Sequence, residues 1–188
     1  MAHQRTDSYL KDSIGIFRYC KRQGEAAMAQ CPDDGLFALL DSESNSIAII
    51  VKHMTGNMIS RWTDFLTTDG EKPNRNRDSE FEEPAKTRAE LLQLWEAGWK
   101  CFFGTLEELS EADLTKRVTI RGEAHSVMQA INRQVAHYSY HVGQIVFLAR
   151  HYTGPTWKSL TIPKKKSQEF NADVKSGKNR SSNEGRCL

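Results

Sequence analysis

The chain has 188 residues, of which 38% are hydrophobic and 27% are charged, and its net charge is +2 at pH 7. This length suits one ordinary domain, and the composition excludes a wholly disordered protein. The longest apolar run, Ile47–Val51, is far shorter than the roughly 20 residues that cross a bilayer, and the first residues lack the apolar core of a signal peptide. We therefore predict a cytoplasmic protein that has no membrane partner.

Positive charge is concentrated at the C-terminal end. Residues 164–188 contain seven Lys or Arg and three Asp or Glu, a net charge of +4, which leaves −2 for the rest. A nucleic-acid-binding domain would need a basic stripe on its folded part, so nucleic acid is not expected as a partner. We predict a domain over residues 1–162 and a basic tail over 163–188, disordered beyond about Asn171. Weak binding of DNA by the tail is an alternative that deletion after Pro163 would test.

The spacing of apolar residues predicts four helices, at 6–30, 44–67, 87–109 and 126–152. Capping-box spacing marks two of the starts, at Thr87–Glu90 and Ser126–Gln129. The stops are Pro32–Gly35, Asp69–Gly70 and Gly154–Pro155. These segments predict an all-α fold, a four-helix bundle.

Two connections complete the predicted fold. Residues 68–85 form a long, mostly polar link that permits a crossover between helices, and loops of this length are usually functional or disordered. Residues 117–122 alternate polar and apolar side chains, which predicts at most a short strand before the last helix, without an evident partner.

Two histidines of the fourth predicted helix are four residues apart. His137 and His141 lie on one helical face, one turn apart, so both imidazoles can reach a single ion. Ala130 and Leu148 lie above and below them on that face, which puts the pair at the edge of the core. Solvated histidines would be expected on the opposite, polar face.

The second predicted helix repeats this arrangement, because His53 borders an apolar stripe and Asn57 follows one turn later. Bundles commonly build metal sites from facing helices, so we predict that His53, His137 and His141 bind one divalent ion. Three neutral imidazoles suit zinc, nickel, copper or iron(II), with zinc or nickel preferred, and leave a coordination position open. The alternative is three ordinary interface histidines that hydrogen-bond to neighbours.

Three amide side chains are predicted to orient these ligands or to contact a substrate: Asn57, Gln134 and Gln144. The remaining histidines are not assigned to the metal, because they lie at the chain terminus or near helix ends: His3, His125 and His151. Four residues of the long connection are further candidates. Asp64 and Glu71 could act as acid or base, and Arg75 and Arg77 could bind an anionic substrate or simply be solvated.

The segments Ile47–His53 and Gln134–Ile145 resemble the DinB-like superfamily, also called DinB/YfiT-like metalloenzymes, over about residues 6–155. The segments Arg61–Leu66, Asp69–Pro73 and Arg75–Asp78 are similar to the signature of a bacterial subfamily of unassigned function. The resemblance implies a four-helix bundle with an unusual crossover. It also implies a metal held by one histidine of helix two and two of helix four, here His53, His137 and His141.

The resemblance further implies an activity. Some relatives are thiol transferases that use bacillithiol, mycothiol or glutathione, and others are isomerases, so we expect a metal-dependent thiol S-transferase. Its substrates would be small electrophilic molecules, and a low-molecular-weight thiol would be a second cofactor. Two alternatives stay open: a metal-dependent hydrolase, and a non-catalytic helical binding protein of a stress response. The sequence contains no recognisable thiol-binding motif.

Family members often pair, so a homodimer is expected. Four aromatic residues of the third predicted helix could form the contact or the core, and we prefer the core: Trp95, Trp99, Phe102 and Phe103.

Overall fold

Six helices and one hairpin make up the part of the chain that the structure, a computed structural model, describes: residues 7–82 and 85–177. The helices are α1 (Tyr9–Gln30), α2 (Asp33–Phe37), α3 (Ile47–Trp62), α4 (Arg88–Glu108), α5 (Val127–Thr153) and α6 (Ser167–Ser176). The strands are β1 (Arg117–Ile120) and β2 (Glu123–Ser126), and short 3₁₀ turns occupy Asp78–Phe81, Glu111–Thr115 and Gly154–Thr156. The mostly helical architecture confirms the predicted fold class.

The four long helices each begin at a hydroxyl side chain that accepts a hydrogen bond from a backbone N–H of the first turn. At α5 both halves of the predicted capping box form, between Ser126 and Gln129. At α4 only half of it forms. The Thr87 hydroxyl accepts from the Glu90 amide, but the Glu90 carboxylate accepts from the amide of Lys86 instead.

One predicted helix end was wrong, and one short helix was not predicted. α3 ends at Trp62 rather than near residue 67, because Asp64 adopts a positive φ of 48° and its carbonyl accepts hydrogen bonds from Thr67 and Thr68 in a turn. The stop predicted after the first helix is present, since α1 ends at Gln30, but the residues that follow Pro32 form the short helix α2, which was not predicted from the sequence. Pro32 supplies a fixed φ just before it, and the acidic side chains of its first turn favour the helix N-terminus.

The four long helices form a bundle in which helices that follow one another in sequence are not always neighbours in space. α1 packs mainly on α5 and α3 mainly on α4, and smaller α3–α5 and α1–α4 contacts close the ring. α1 and α3 therefore lie diagonally, as do α4 and α5. The predicted crossover is present, but it lies in the connections that precede α3 and α5. The long connection joins the neighbours α3 and α4.

The predicted strand has a partner that the sequence did not reveal. β1 pairs with β2 in antiparallel register, with Arg117 opposite Ser126 and Ile120 opposite Glu123. The turn residues Arg121 and Gly122 both have positive φ, which is the backbone of a type I′ hairpin turn. This hairpin leads directly into α5.

The long connection between α3 and α4 is fastened to both of its neighbours. The amide of Gly70 donates to Thr119 of β1, and its carbonyl accepts from the hydroxyl of Ser60 on α3. The Asp69 carboxylate accepts from the backbone amides of Arg121 and Gly122 in the hairpin turn. These bonds hold the following residues, up to the 3₁₀ turn at 78–81, against α3.

The core lies between the four long helices. Trp95, Trp99 and Phe102 of α4 are buried and Phe103 is partly buried, which confirms the core interpretation of these aromatic residues. The expected homodimer stays a prediction, and these four residues do not offer it a surface.

The C-terminal region differs from the expected disorder, since α6 covers 167–176 and none of its residues is buried. Residues 178–188 of the predicted tail, like His3, lie outside the described residues. Within the described part, no helix is both long and apolar enough to span a membrane.

Candidate metal centre

Three imidazoles meet where α3 faces α5. His53 lies in the middle of α3, and His137 and His141 occupy successive turns of α5. The Nε2 atom of His137 lies 3.3 Å from that of His53 and 3.1 Å from that of His141. His53 is buried and the other two are half-buried. The structure thus brings together the three histidines that the sequence singled out.

Each of these rings forms a hydrogen bond through its other nitrogen. Nδ1 of His53 lies 2.9 Å from the Glu80 carboxylate, Nδ1 of His137 is 3.3 Å from Oε1 of Gln134, and Nδ1 of His141 is 2.8 Å from Oε1 of Gln144. Carboxylate and amide oxygens accept hydrogen bonds, so each Nδ1 carries the proton. In this tautomer each Nε2 carries a lone pair, and the fold places the three Nε2 atoms together.

This donor set is compatible with a divalent transition metal. Three unprotonated nitrogens at such short distances repel one another unless a cation lies among them. Metal–nitrogen bonds of about 2.0–2.1 Å in a tetrahedral arrangement would place the nitrogens roughly 3.3 Å apart. The observed separations are close to that value, and imidazole suits zinc and nickel. Three protein ligands would leave one position for a substrate.

The surroundings keep two of the imidazoles neutral at physiological pH. Burial lowers the pKa of His137 to about 3, and the nearby positive charges of Arg61 and Arg75 act in the same direction. Burial also lowers the pKa of His141, although the hydrogen bond with Gln144 partly opposes this. Neutral rings are the form that binds a metal, so little proton competition is expected from these two at pH 7.

Glu80 is the residue that sequence reasoning missed. It lies in the long connection, its side chain is 7% exposed, and it accepts from His53 as well as from Arg75 Nε and Nη2 at 2.7 and 2.9 Å. Burial raises the pKa of its carboxyl, but the hydrogen bonds from His53 and Arg75 outweigh this and the pKa is lowered. Glu80 therefore orients His53 as an ionised acceptor. No local periodicity marks it, so the sequence offered no signal.

Glycine makes this contact possible. A Cβ atom at Gly56 of α3 would lie 2.3 Å from Oε1 and 2.7 Å from Cδ of Glu80. The ring of Phe81 stacks on one face of the His53 ring, with 4.8 Å between the two centroids. The long connection thus supplies both a hydrogen-bond acceptor and an apolar wall.

A cavity of about 190 Å³ opens beside His53 and His137. Its other lining residues are amides and arginines: Asn57, Gln134, Arg61, Arg75, Arg77, Arg121 and Arg133. None of these described lining residues is a carboxylate. The cavity is smaller than the ~300–1,000 Å³ typical of ligand pockets, so it suits a small group rather than a large molecule.

The other predicted site residues have different surroundings. The side chain of Asn57 is not hydrogen-bonded to Nδ1 of any of the three histidines; its Oδ1 accepts from the buried Tyr138 hydroxyl at 3.1 Å, and the residue lines the cavity. Asp64 is exposed and lies outside the cavity lining. His125 and His151 do not join the histidine cluster.

The charged candidates of the long connection are mostly engaged with one another. Glu71 pairs with Arg75 at 3.2 Å and with Arg121 at 3.1 Å. Arg75 also pairs with Glu80, and Arg77 lies over the ring of Phe81 at 5.2 Å. Arg75 therefore braces the centre, and its donors are occupied by carboxylates.

Comparisons with known proteins give a family but no activity. A search of curated proteins found no match, and neither did a search of solved structures. A family profile matches residues 4–166, which is most of the chain. The chain belongs to the family described as "Protein of unknown function (DUF1572)".

Proposed function

We propose that this protein is a divalent-metal-dependent enzyme of the DinB-like type, in which His53, His137 and His141 hold zinc or nickel. One observation carries the proposal: Nε2 of His137 lies 3.1–3.3 Å from those of His141 and His53, all three ligand atoms lie within 4.8 Å of one another, and every Nδ1 is within hydrogen-bond distance of an oxygen. Interface histidines without a metal have no reason to direct three lone pairs at one point. Gln134, Gln144 and Glu80 would fix the tautomers and ring orientations.

We further propose that the reaction is the transfer of a low-molecular-weight thiol to a small electrophile. When bound, a divalent ion with neutral ligands supplies positive charge that makes a neighbouring thiol lose its proton more readily. The sulfur would form a bond to the electrophilic carbon while the leaving group departs with its electron pair. The arginines of the cavity wall add positive charge that favours the thiolate over the thiol.

The lining of the cavity supports thiol transfer over hydrolysis. Water is a weak acid whose activation is usually assisted by a positioned base, whereas a thiol has a pKa of about 8.5 and ionises more easily. None of the described lining residues is an Asp or Glu that could serve as that base. Glu71 and Glu80 lie behind the arginines and are occupied by them.

Metal content tests the first half of the proposal. We expect the purified protein to contain close to one equivalent of zinc or nickel by elemental analysis, and His137→Ala to lose it. His151→Ala, which removes an exposed histidine of the same helix, should retain it. If the protein takes up no stoichiometric metal and its melting is unchanged by added zinc or nickel, the alternative of a non-catalytic binding protein is favoured.

Activity tests the second half. Metal-loaded protein would be assayed with bacillithiol, mycothiol and glutathione against 1-chloro-2,4-dinitrobenzene, with ester hydrolysis measured in parallel. We expect thioether formation with at least one thiol, abolished in His137→Ala and retained in His151→Ala. Hydrolysis without thioether formation would replace the transferase by the hydrolase.

A further inference from the structure

One buried arginine that lines the cavity lacks hydrogen-bond partners for part of its guanidinium group. Arg61, in the last turn of α3, is 5% exposed, yet its Nε and Nη1 atoms have no hydrogen-bond partner among the described residues. Its nearest counter-charge is Glu71, at 3.9 Å from Nη2. Buried guanidinium donors that remain unsatisfied are costly, so such a group in a native fold needs a reason.

The neighbouring carboxylate does not neutralise Arg61. Glu71 is shared with Arg75 and Arg121, both of which approach it more closely than Arg61 does. Arg133 of α5 contributes a further positive charge to the same cavity. Burial lowers the pKa of Arg61; the charge of Glu71 opposes this, and the charges of Arg75, Arg133 and Arg121 add to the lowering. The cavity therefore holds an excess of positive charge in a partly dehydrated position.

The fold places Arg61 in line with the histidine centre. His53, Asn57 and Arg61 follow one another at intervals of four residues on one face of α3, and all three line the cavity. With a rise of 1.5 Å per residue, the backbones of His53 and Arg61 are about 12 Å apart. Because both side chains line the same cavity, one small molecule can contact both of them.

The backbone at Gly70, in the connection between α3 and α4, packs closely against the Arg61 side chain. A Cβ atom at Gly70 would lie 3.3 Å from both Cδ and Nη1 of Arg61. Gly70 itself is fixed by hydrogen bonds to Ser60 and Thr119, so this loop cannot simply move away. The Arg61 side chain therefore lies between the backbone at Gly70 and its own helix, α3.

We propose that Arg61, assisted by Arg133 and Arg121, binds a carboxylate or phosphate group of the substrate whose reacting end lies at the histidine centre. The position of that reacting end rests on the proposed function, whereas the anion subsite stands on Arg61 and the cavity alone. Guanidinium groups match the geometry of both oxyanions, and an anion in the cavity would give Arg61 the counter-charge that Glu71, shared with Arg75 and Arg121, supplies only from 3.9 Å. Binding a non-reacting anionic group would hold the other end of the molecule in place for reaction.

The subsite is tested with metal-free protein, so that an anion cannot bind through the metal. Inorganic phosphate and acetate would be titrated by calorimetry into the full chain after chelation, with Arg133→Gln, Arg61→Gln and Arg150→Gln as variants. Arg150 is exposed on α5 and lies outside the cavity lining, so it controls for loss of one positive charge. The preferred oxyanion of the two distinguishes a phosphorylated from a carboxylated substrate.

We expect one of the two anions to bind, about tenfold more weakly in Arg133→Gln because a charge-assisted hydrogen bond is lost, and unchanged in Arg150→Gln. Arg133 is exposed, so its variant keeps the test valid even if Arg61→Gln fails to fold. The proposal is overturned if neither anion binds, or if all the variants bind equally. If the purified protein contains its metal but the chelated protein binds no anion, the subsite alone is lost. If the purified protein takes up no stoichiometric metal but still binds an anion, the proposed function alone is lost.

Discussion

Glu80 illustrates how a single residue can control a site without belonging to it. Its carboxylate lies between His53 and Arg75, and all three side chains are shielded from solvent. An ionised acceptor at Nδ1 makes the imidazole a better donor at Nε2, and it also prevents the ring from rotating. Each of these effects can be measured separately.

We expect Glu80→Gln to weaken metal binding by at least tenfold, since loss of such a supporting acceptor typically costs 10–100-fold in affinity. The substitution should also reduce the free energy of unfolding by roughly 3 kcal/mol, because the buried Arg75 then keeps only Glu71, which it shares with Arg121, as a charged partner. Competition with a chromogenic chelator and urea denaturation provide the two readouts. Glu82→Gln, an exposed neighbour, is the matched control and should leave both values unchanged.

The stability effect of Glu80→Gln should depend on pH. The folded pKa of Glu80 is below its ordinary value of 4.5, so its ionised form stabilises the folded state above that pH. As the pH falls below 4.5 and through the lower folded value, wild type loses this contribution and the variant does not. The difference in unfolding free energy between the two should shrink on acidification, and a difference that stays constant from pH 7 to pH 3 contradicts the assignment.

Gly56→Ala, a substitution on α3, should disturb the packing of the Glu80 carboxylate against that helix. Alanine usually stabilises a helix by up to about 1 kcal/mol relative to glycine, but here its Cβ would collide with a carboxylate that two partners hold in place. We expect a net loss of stability and weaker metal binding. At Gly104 of α4 an added Cβ meets nothing within 4 Å, so Gly104→Ala should be stabilising. Thermal melts of the two variants should therefore shift in opposite directions.

At the scale of elements, one aspartate joins the long connection to the hairpin beside the bonds made by Gly70. Hydrogen bonds from the backbone amides of Glu71, Gly122 and Arg121 lower the pKa of Asp69. These bonds fasten the connection to the tip of the β1–β2 hairpin. The order of this connection is what delivers Glu80 to α3.

We expect Asp69→Ala to loosen the connection without unfolding the bundle. The amides of Gly122 and Arg121 would lose their acceptor, so their hydrogen exchange should become faster while the amides of the α1–α5 interface keep their protection. Asp78→Ala, an exposed acidic residue of the same connection, is the control. Uniformly faster exchange across the molecule would mean that Asp69 supports the whole fold instead.

The elements that could be predicted from the sequence were those in which apolar residues recur at regular helical spacing. His137 and His141 are marked by their spacing on one helical face, and His53 by its position beside an apolar stripe. β2 gave no such signal, because Glu123–Ser126 lacks the alternation of apolar residues, and α2 follows a proline that reads as a stop. Glu80 and Arg61 were missed because their roles depend on contacts between segments that no local pattern encodes.

At the scale of the molecule, metal should stabilise the folded chain. An ion that binds only the folded state raises the free energy of unfolding by about 2.7 kcal/mol when its concentration is a hundred times the dissociation constant. For a chain of this size, that corresponds to a rise in melting temperature of roughly 5–10 °C. Calorimetric melts with and without zinc measure it. The increase should vanish in His137→Ala, and persistence of the full shift in that variant would place the metal elsewhere.

The diagonal arrangement of α1 with α3 and of α4 with α5 has a consequence for how the centre assembles. His53 and His137 are separated by 84 residues, and they meet only where α3 faces α5. A fragment containing α5 alone would offer only two of the three imidazoles of the centre and bind cobalt(II) weakly. The visible absorption of tightly bound cobalt(II) should therefore appear late in refolding, after the connections that precede α3 and α5 have both crossed the bundle. Its time course would report when α3 packs against α5.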